Sequence, residues 1–498
     1  MAQFKQLPCS PQQVVLFSVS LEETVAADCD VRLLSEAMEL LDWRELEASY
    51  KTTGCPAYPP KLMAKLLMYG YSKGVRSSRK LEEAAQHDLR YIWLLGGFRP
   101  DHATIARFRR KHESHLKQLF VGTVRLCAEA GLVLLNCVAT DGSRIQGRAS
   151  KRSLYDKKRL AKELAAVEQI LAEAEAIDQA EEAASSRAGT IPEALKDAKC
   201  RQARLAEIAA RLEKSSQQRV SASDPDCKVV RTGAGFRPGY NAQVTVDSEH
   251  HVIVAAELIC QQTDNAQLSE QLKQVAENLG LAPDLALADS GYSDEETFQW
   301  LEDTKQQALV PPREQAKKQQ DTSLFGSRCF LPVAGEDALI CPAGRKLTLR
   351  GTVKKGNNHY REYTALDCRG CSFSRDCIKG KKRRRSLQVS IVEKIRDELR
   401  QKLKTPQGQA QYRIRAQTVE PTFGNLKANL GFWRFLLAGK VGASAEFWLI
   451  CIAHNLLIWV RKRSEATKSA IRQRVDKICT AISVLFWPGH HIHIARIQ

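Results

Sequence analysis

Two aspartates each lie at the point where an apolar, strand-forming run ends and a turn of small residues begins. Asp141 comes late in Leu132–Gln146 and precedes Gly142, and Asp289 ends the run that begins at Leu285. The rim of a buried strand is a rigid place from which to hold a metal ion or a base. Carboxylate oxygens are the ligands that Mg²⁺ prefers. We predict that both acids serve a metal site; for Asp141 alone, ordinary Asp-Gly turn chemistry is the alternative.

The elements that must position these acids are strands of one sheet. Residues 240–247 and 251–258 are two β-rich runs separated by Ser248-Glu-His, which indicates an antiparallel hairpin. The order along the chain is therefore a strand with an acid, a hairpin, a helix, and a second strand with an acid. This order predicts an α/β fold with a mixed sheet and flanking helices.

A third acid, Glu420, follows in the segment from Tyr412 to Lys427. Arg413, Glu420 and Lys427 are spaced seven residues apart. On a continuous helix they would share one face, with successive members roughly 10 Å apart. Pro421 opens the alternative of a kink or a join between two helices, because the residue before a proline resists the α conformation.

Together these segments resemble the DDE transposases of bacterial insertion sequences. The resemblance covers most of the chain, and its motifs are specific only in combination. They are Ala139-Thr-Asp-Gly-Ser, Asp224-Pro-Asp followed by Gly239-Tyr-Asn-Ala-Gln, Ala288-Asp-Ser-Gly-Tyr, and Val419-Glu-Pro-Thr-Phe-Gly-Asn-Leu-Lys followed by Gly431-Phe-Trp-Arg-Phe-Leu.

The resemblance implies an RNase H-like catalytic core behind a helical, DNA-binding domain. It makes Asp141, Asp289 and Glu420 the triad that binds Mg²⁺ or Mn²⁺. It implies two-metal cleavage of double-stranded DNA at the element ends and strand transfer into target DNA, by a homodimer in a synaptic complex. Two other classes stay open: an RNase H-like nuclease without strand transfer, and a DNA-binding relative that has lost catalysis.

One departure from the family pattern affects the residues around Glu420. Related transposases often place Tyr, Arg, Glu and Lys with two, three and six residues between them, whereas here four residues separate Arg415 from Glu420. The family's residue roles therefore carry over to Tyr412 and Lys427 better than to Arg415. We predict that Tyr412, Arg413 and Lys427 lie along the DNA.

The bulk composition fits a nucleic-acid partner. The chain has 498 residues, 43% of them hydrophobic, and a formal net charge of +18. Cationic side chains release counterions from nucleic acid, so a polyanion is the expected partner. A basic enzyme with no such partner is the alternative.

The first residues and the cysteines bear on the compartment. Met1 to Ser10 shows no apolar core behind a basic start, as a secretory signal would require. The fifteen cysteines are scattered, which is typical of a reducing compartment. We expect a cytoplasmic, nucleoid-associated protein without a membrane span, because the apolar run from Phe447 to Val460 is too short for one and reads as a buried helix.

Residues 1–130 are predicted to be a helical domain. The pattern favours helices over Val31–Trp43, from Pro60 onward, over Ser78–Leu95, and over Thr104–Ala130, with Asp101 as a cap. We predict that this domain binds the DNA ends through a basic group on its last helix, Arg107, Arg109, Arg110 and Lys111. A solvated helical face is the alternative.

Two insertions are expected in the catalytic core, whose first part is 131–150 with 221–312. Residues 151–220 are predicted to form a helical hairpin. It either pairs with a second copy of the chain or supports the core of its own chain, and its short, Ala-rich apolar stripe favours the second alternative. Residues 313–385 carry Cys341, Cys368, Cys371 and Cys377 ahead of a basic run. These thiols either hold one structural Zn²⁺ or line a small core in reduced form.

The remaining residues complete the predicted domain order. Residues 386–462 are expected to form the C-terminal part of the catalytic core, with Glu420, and 463–498 a basic tail. The helix from Ala445 should pack against the sheet, and Trp433 and Trp448 should be core residues. The histidines at 490, 491 and 493 lack nearby carboxylate or cysteine partners and are not predicted to bind metal.

Overall fold

The computed structural model describes residues 20–50, 56–183, 193–214, 218–232, 235–313, 329–333, 335–356, 358–378 and 384–486. The chain is mixed α/β and divides into two compact units. Residues 1–132 and 425–498 form a helical unit, and 133–424 form a unit that carries the sheets. The predicted segment 386–462 is therefore split, because the chain leaves the sheet unit after Gly424.

The described N-terminal residues are helical, as predicted, but two of the expected helices are broken. Asp88 accepts a hydrogen bond from the Arg90 amide and so begins a new helix inside Ser78–Leu95. His112, at φ −109° and ψ 32°, interrupts Thr104–Ala130. Pro60 is the first residue of its helix, and the Asp101 carboxylate caps the amides of Ala103 and Thr104, both as predicted. The helices are α1 (Leu21–Thr24), α2 (Asp30–Glu39), α3 (Arg44–Ala48), α4 (Pro60–Ser72), α5 (Ser78–His87), α6 (Leu89–Leu94), α7 (His102–Lys111) and α8 (Glu113–Glu129).

The sheet unit opens with the strands of a central mixed sheet and the helices between them. In order these are β1 (Val138–Gln146), β2 (Leu154–Tyr155), α9 (Lys157–Ala183), α10 (Glu193–Lys214), β3 (Val220–Ser221), β4 (Lys228–Thr232), β5 (Gly235–Asp247), β6 (Ile253–Ile259), α11 (Gln267–Leu279), β7 (Ala286–Leu287), α12 (Glu295–Thr304) and β8 (Ala308–Leu309).

The central sheet has the order β4-β5-β1-β7-β8, with β6 also paired to β5. Strand β5 is antiparallel to β1, β4 and β6, which confirms the predicted hairpin. Strands β1, β7 and β8 are parallel to one another. Strand β5 is buried from Pro238 onward, and all residues of β6 but one are buried, as strands covered on both faces require.

The first insertion is the predicted helical hairpin. Helices α9 and α10 lie between the paired strands β2 and β3, and the predicted apolar positions Leu160, Val167, Leu205, Ile208 and Leu212 form their shared core. The predicted break at 185–189 lies outside the described residues. Whether the hairpin also pairs with a second copy stays a prediction.

The second insertion contains a five-stranded antiparallel sheet of order β13-β12-β11-β10-β9. It extends past residue 385, the predicted boundary, because its last strand pairs with β12. Its core is small: Phe330, Leu339, Leu347, Tyr363, Ala365 and Leu387. The elements are β9 (Leu331–Pro332), β10 (Ala338–Ile340), β11 (Lys346–Lys355), β12 (Asn358–Ala365), α13 (Ser374–Cys377), β13 (Ser386–Ser390), and then α14 (Glu393–Lys404) and α15 (Pro406–Gly424).

The last helix, α16 (Lys440–Phe486), belongs to the helical unit, whereas the sequence predicted it as part of the catalytic core. Trp448 is buried against Phe120 and donates to Glu113, and the Cys127 thiol donates to the Asn455 carbonyl. The stretch Lys440–Arg463 is long and apolar enough to cross a membrane, but 83% of its apolar window is buried inside the protein. It is thus the buried helix that the sequence predicts.

Candidate active site

Asp141 and Asp289 occupy equivalent positions on neighbouring parallel strands. Ala139 of β1 is paired with Leu287 of β7, and each acid comes two residues later. Since side chains alternate with period two, both carboxylates leave the sheet on the same face. Strand β7 ends at Leu287, whereas β1 continues to Gln146. Asp141 therefore lies inside its strand, and the prediction that it lies at the end of the strand is wrong.

A backbone amide fixes each carboxylate. The Gly142 amide donates to Asp141 Oδ1 at 2.8 Å, and the Gly291 amide donates to Asp289 Oδ1 at 2.7 Å. The second oxygen of each acid is thereby left for another partner. That partner is Arg415 of α15, a helix that packs against β1.

Arg415 bridges the two acids with a single guanidinium nitrogen. Its Nη2 lies 3.1 Å from Asp141 Oδ2 and 3.8 Å from Asp289 Oδ2. The Arg415 side chain is 15% exposed, that of Asp141 24% and that of Asp289 43%. Two carboxylate oxygens therefore converge on one positive charge in a partly desolvated place, where charge interactions are stronger than in water.

Burial dominates the electrostatics of Asp141. It raises the pKa of that carboxyl to about 6, and repulsion from Asp289 and Asp264 adds to the rise, while Arg415 and the Gly142 amide oppose it. Burial likewise raises the pKa of the Tyr412 hydroxyl, which feels Arg415 and both acids. Tyr412 precedes Arg415 by three residues in α15, so it lies on the side of the helix that faces the acid pair.

Asp264 is a further acid beside the pair, and the sequence motifs did not single it out. Its Oδ1 accepts from Asn241 Nδ2 and Gln243 Nε2, both at 2.7 Å, and Gln243 in turn accepts from the Tyr292 hydroxyl. The buried Asn241 and Gln243 on β5 were the available signal, because buried amides require partners.

Asp264 also lies close to the glycines that follow both catalytic candidates. A Cβ atom at Gly142 would lie 2.8 Å from Asp264 Oδ1, and one at Gly291 would lie 3.1 Å from its Oδ2 and 2.7 Å from Asp289 Oδ1. Only glycine fits at these two positions without displacing the acids. Asp264 therefore packs beside both glycines at once.

Glu420 is not gathered with the two aspartates. It lies in α15, which runs through Pro421 to Gly424 without a break, so the continuous-helix alternative is the one found. Five residues after Arg415, it is rotated from it by about 140° around the helix axis and is exposed. Arg413 is exposed on the Glu420 side, and Lys427 lies in the π-helical segment Asn425–Asn429. Among the described residues, no three His, Cys, Asp or Glu side chains are arranged to hold a metal ion.

The four basic residues on α7 differ in their exposure to solvent. Arg107, Arg110 and Lys111 are exposed, whereas Arg109 is 2% exposed. The Arg109 guanidinium donates to the Tyr71 hydroxyl, the Arg76 carbonyl and the Ser78 hydroxyl. The prediction that Arg109 contacts DNA is corrected, because its donors are used inside the helical unit.

The four cysteines of the second insertion line one small pocket, at the end of its sheet. Cys341, Cys368 and Cys377 pack against the Leu347 core, and the Arg345 amide donates to Cys341 Sγ at 3.3 Å. This arrangement is compatible with both alternatives that the sequence left open, one structural Zn²⁺ and reduced thiols lining a small core. Zinc binding stays a prediction.

Two family models match the chain. One, described as a transposase DDE domain, matches residues 340–458, which include Glu420 but begin after Asp141 and Asp289. The other, a transposase domain designated DUF772, matches residues 19–111.

No curated protein matches the chain. Among solved structures, a cryo-EM structure of the piggyBac transposase synaptic complex with hairpin DNA is similar over 88% of this chain and 75% of that one, with 11% identity and a TM-score of 0.33, a likeness too low to carry an argument. The two domain matches are typical of bacterial insertion-sequence transposases, and they confirm the resemblance of this chain to that family.

Proposed function

We propose that this protein is a DDE transposase that cleaves DNA at the ends of an insertion sequence and joins the freed ends to target DNA. The observation that carries the proposal is the register of Asp141 and Asp289, whose carboxylates converge on one cation. The chain order of strand, hairpin, helix and strand, with an acid on the first and last strand, supports an RNase H-like core.

The residues present fit a divalent metal such as Mg²⁺ or Mn²⁺. Asp141 and Asp289 already share the positive charge of Arg415, and their oxygens are hard ligands of the type that these ions prefer. Glu420 is the proposed third ligand on the strength of the resemblance and the DDE domain match. When bound, the metal would activate a water and stabilise the leaving 3′-oxygen.

The chain's own residues would orient the DNA around these acids. Arg415 would need another anion if a metal bound the aspartates, and a DNA phosphate would supply one. Arg413 and Lys427 would offset further phosphate charge. The freed 3′-hydroxyl would then replace water as the nucleophile, so one site would perform hydrolysis and strand transfer in turn.

The partners follow from the same proposal. Double-stranded DNA, at the element ends and at the target, is the substrate, and Arg107, Arg110 and Lys111 are the proposed phosphate contacts of the helical unit. A homodimer would synapse two ends, in the cytoplasm at the nucleoid. Zinc at the cysteine pocket is a separate prediction; metal analysis of the protein and of Cys371→Ser, with the exposed Cys329→Ser as control, tests it.

Cleavage of a labelled duplex carrying the element's own end tests the function. We expect metal-dependent nicking at the element boundary that EDTA, Asp141→Ala and Asp289→Ala abolish. The exposed Glu270→Ala on α11 should cleave like the parent. If both aspartate variants cleave within a few-fold of the parent, the site assignment is wrong.

The DNA products distinguish two other functions from the proposed one. A nuclease without strand transfer would cut the duplex but give no molecule that joins donor and target DNA. A relative without catalysis would bind the element end and leave it uncut with any metal.

A further inference from the structure

Trp433 presents its indole ring to solvent from an ordered loop of the helical unit. The prediction that it is a core residue is wrong, since it is 64% exposed. It lies in the loop between the π-helical segment and α16, which turns at Gly431 with φ +66°. A single exposed apolar side chain is ordinary by itself, so the inference depends on how this loop is held.

Buried aromatic rings anchor the loop on both sides of Trp433. Phe432 is 1% exposed and Phe435 is fully buried, with their ring centroids 5.1 Å apart in an edge-to-face arrangement. Phe432 also stacks on Phe447 of α16 at 6.3 Å. Because positions 432 and 435 point inward, Trp433 and Arg434 between them are turned outward, and both are exposed.

Buried charges fix the backbone of the same loop. The carboxylate of Glu446, fully buried, accepts from the amides of Leu436 and Leu437 at 2.7 to 3.1 Å. Arg76 lies 3.7 Å from that carboxylate, donates to the Arg434 carbonyl at 3.0 Å and covers the Phe432 ring. Arg109 in turn donates to the Arg76 carbonyl, and this contact accounts for the burial of the Arg109 side chain.

This support is large for a loop that only connects two helices. A buried carboxylate and two buried guanidinium groups are costly to desolvate unless they are paired and hydrogen-bonded. Here they hold a short segment in one conformation and leave an indole and a guanidinium side by side in solvent. A rigid aromatic face loses little conformational entropy on binding, and it accepts any base by stacking.

We propose that Trp433 and Arg434 form a DNA contact in which the indole ring stacks on an unpaired base and the guanidinium binds the adjoining phosphate. The proposal deepens the proposed function, since it rests on DNA being the substrate, and it assigns to this loop the recognition of bases exposed at a cut or frayed end. The formal net charge of +18 supports an anionic partner over an apolar protein surface.

Equilibrium binding by the full chain in EDTA tests this, because no cleavage then interferes. The probes are a labelled blunt duplex and the same duplex with a short single-stranded 3′ overhang. For Trp433→Ala we expect affinity for the overhang DNA to fall about tenfold or more, and affinity for the blunt duplex to change less than twofold. Trp433→Phe should recover most of the loss.

The salt dependence separates the two side chains. Arg434→Ala should reduce the slope of log affinity against log salt by roughly 0.7 to 0.9, the value of one phosphate contact, and Trp433→Ala should leave the slope unchanged. Leu89→Ala, a 52% exposed residue of the same unit, is the control and should change neither quantity. Melting temperatures should be unaltered, since both side chains are exposed.

Three results would overturn the proposal. Trp433→Ala could bind the overhang DNA within twofold of the parent. It could lose the same affinity for both DNAs together with a lower melting temperature, which would mean a structural role. It could change the oligomeric state and leave DNA binding intact, which would assign the surface to a second copy. None of these would affect cleavage governed by Asp141 and Asp289, so the proposed function is tested separately.

Discussion

Arg415 and Asp141 form an ion pair in which Nη2 lies 3.1 Å from Oδ2 and neither side chain is more than 24% exposed. The same nitrogen serves Asp289 at 3.8 Å. The guanidinium is therefore the charge that allows two neighbouring carboxylates to remain together on one face of the sheet.

Replacing Arg415 by Ala should make the fold depend on metal. Without the guanidinium the two acids repel each other, and we expect the free energy of unfolding in EDTA to fall by about 1–3 kcal/mol, less than for a fully buried pair. Mg²⁺ or Mn²⁺ should then raise the melting temperature more in the variant than in the parent. Thermal unfolding with and without metal measures this. Arg413→Ala, exposed two residues earlier, is the control, and an equal metal effect in parent and variant would contradict the prediction.

Asp141→Asn should stabilise the protein while it abolishes cleavage. The folded carboxyl has its pKa raised from 3.8 to about 6, so the folded state binds more protons between these values and the free energy of unfolding falls as pH rises through that window. An amide removes this dependence. In EDTA we expect the variant to be about 1–3 kcal/mol more stable than the parent at pH 7 and no more stable near pH 4.

Denaturant unfolding of Asp141→Asn and the parent at the two pH values measures the effect. A variant that is less stable than the parent at pH 7 would show that the Arg415 contact outweighs the burial of the acid. Residual metal-dependent cleavage close to that of the parent would instead remove Asp141 from the site.

Asp264→Ala should reduce cleavage without weakening DNA binding. The change leaves Asn241 Nδ2 and Gln243 Nε2 without their acceptor and removes the support under Gly142 and Gly291, the residues whose amides hold the two catalytic candidates. We expect at least a tenfold loss of cleavage and a higher Mg²⁺ requirement, because displaced carboxylates bind metal less well.

Cleavage rates over a Mg²⁺ titration, beside a binding assay in EDTA, measure the Asp264 effect. Asp264→Asn, which keeps one acceptor oxygen, should recover part of the rate if positioning is the role. Glu270→Ala, an exposed acid on α11, should match the parent. An unchanged Mg²⁺ requirement in Asp264→Ala would exclude the positioning role.

Arg109 and Arg110, adjacent on α7, should respond in opposite ways. Arg109→Ala removes the donors to Tyr71, Arg76 and Ser78 from a buried place, so we expect a loss of more than about 2 kcal/mol in stability. Arg110→Ala should leave stability within about 0.5 kcal/mol, since the side chain is exposed, and weaken DNA binding with a smaller salt slope.

Chemical denaturation and DNA binding of both α7 variants provide the comparison. Equal stabilities would mean that the Arg109 contacts contribute little to the fold. A DNA affinity for Arg110→Ala equal to that of the parent would return α7 to the solvated-face alternative.

Local patterns in the sequence determined the strands that carry Asp141 and Asp289, the hairpin between them, the helical hairpin and the capped helix at Asp101. These depend on residue type and on periodicities of two or 3.6 residues, which are properties of neighbours in the chain. The Tyr412–Lys427 segment was also readable as a helix. Its departure from the family spacing nevertheless led us to discount Arg415, the residue that reaches both acids.

Only the tertiary structure decided which side chains meet. It rotated α15 so that Arg415 faces the aspartates and Glu420 faces away, and it brought Asp264 against Gly142 and Gly291. It also buried Arg109 while it exposed Trp433, and it placed α16 in the helical unit. Each of these outcomes depends on the direction in which an element packs against a partner distant in the sequence. A single spacing is compatible with several such directions, and burial of apolar surface together with pairing of buried charges selects among them.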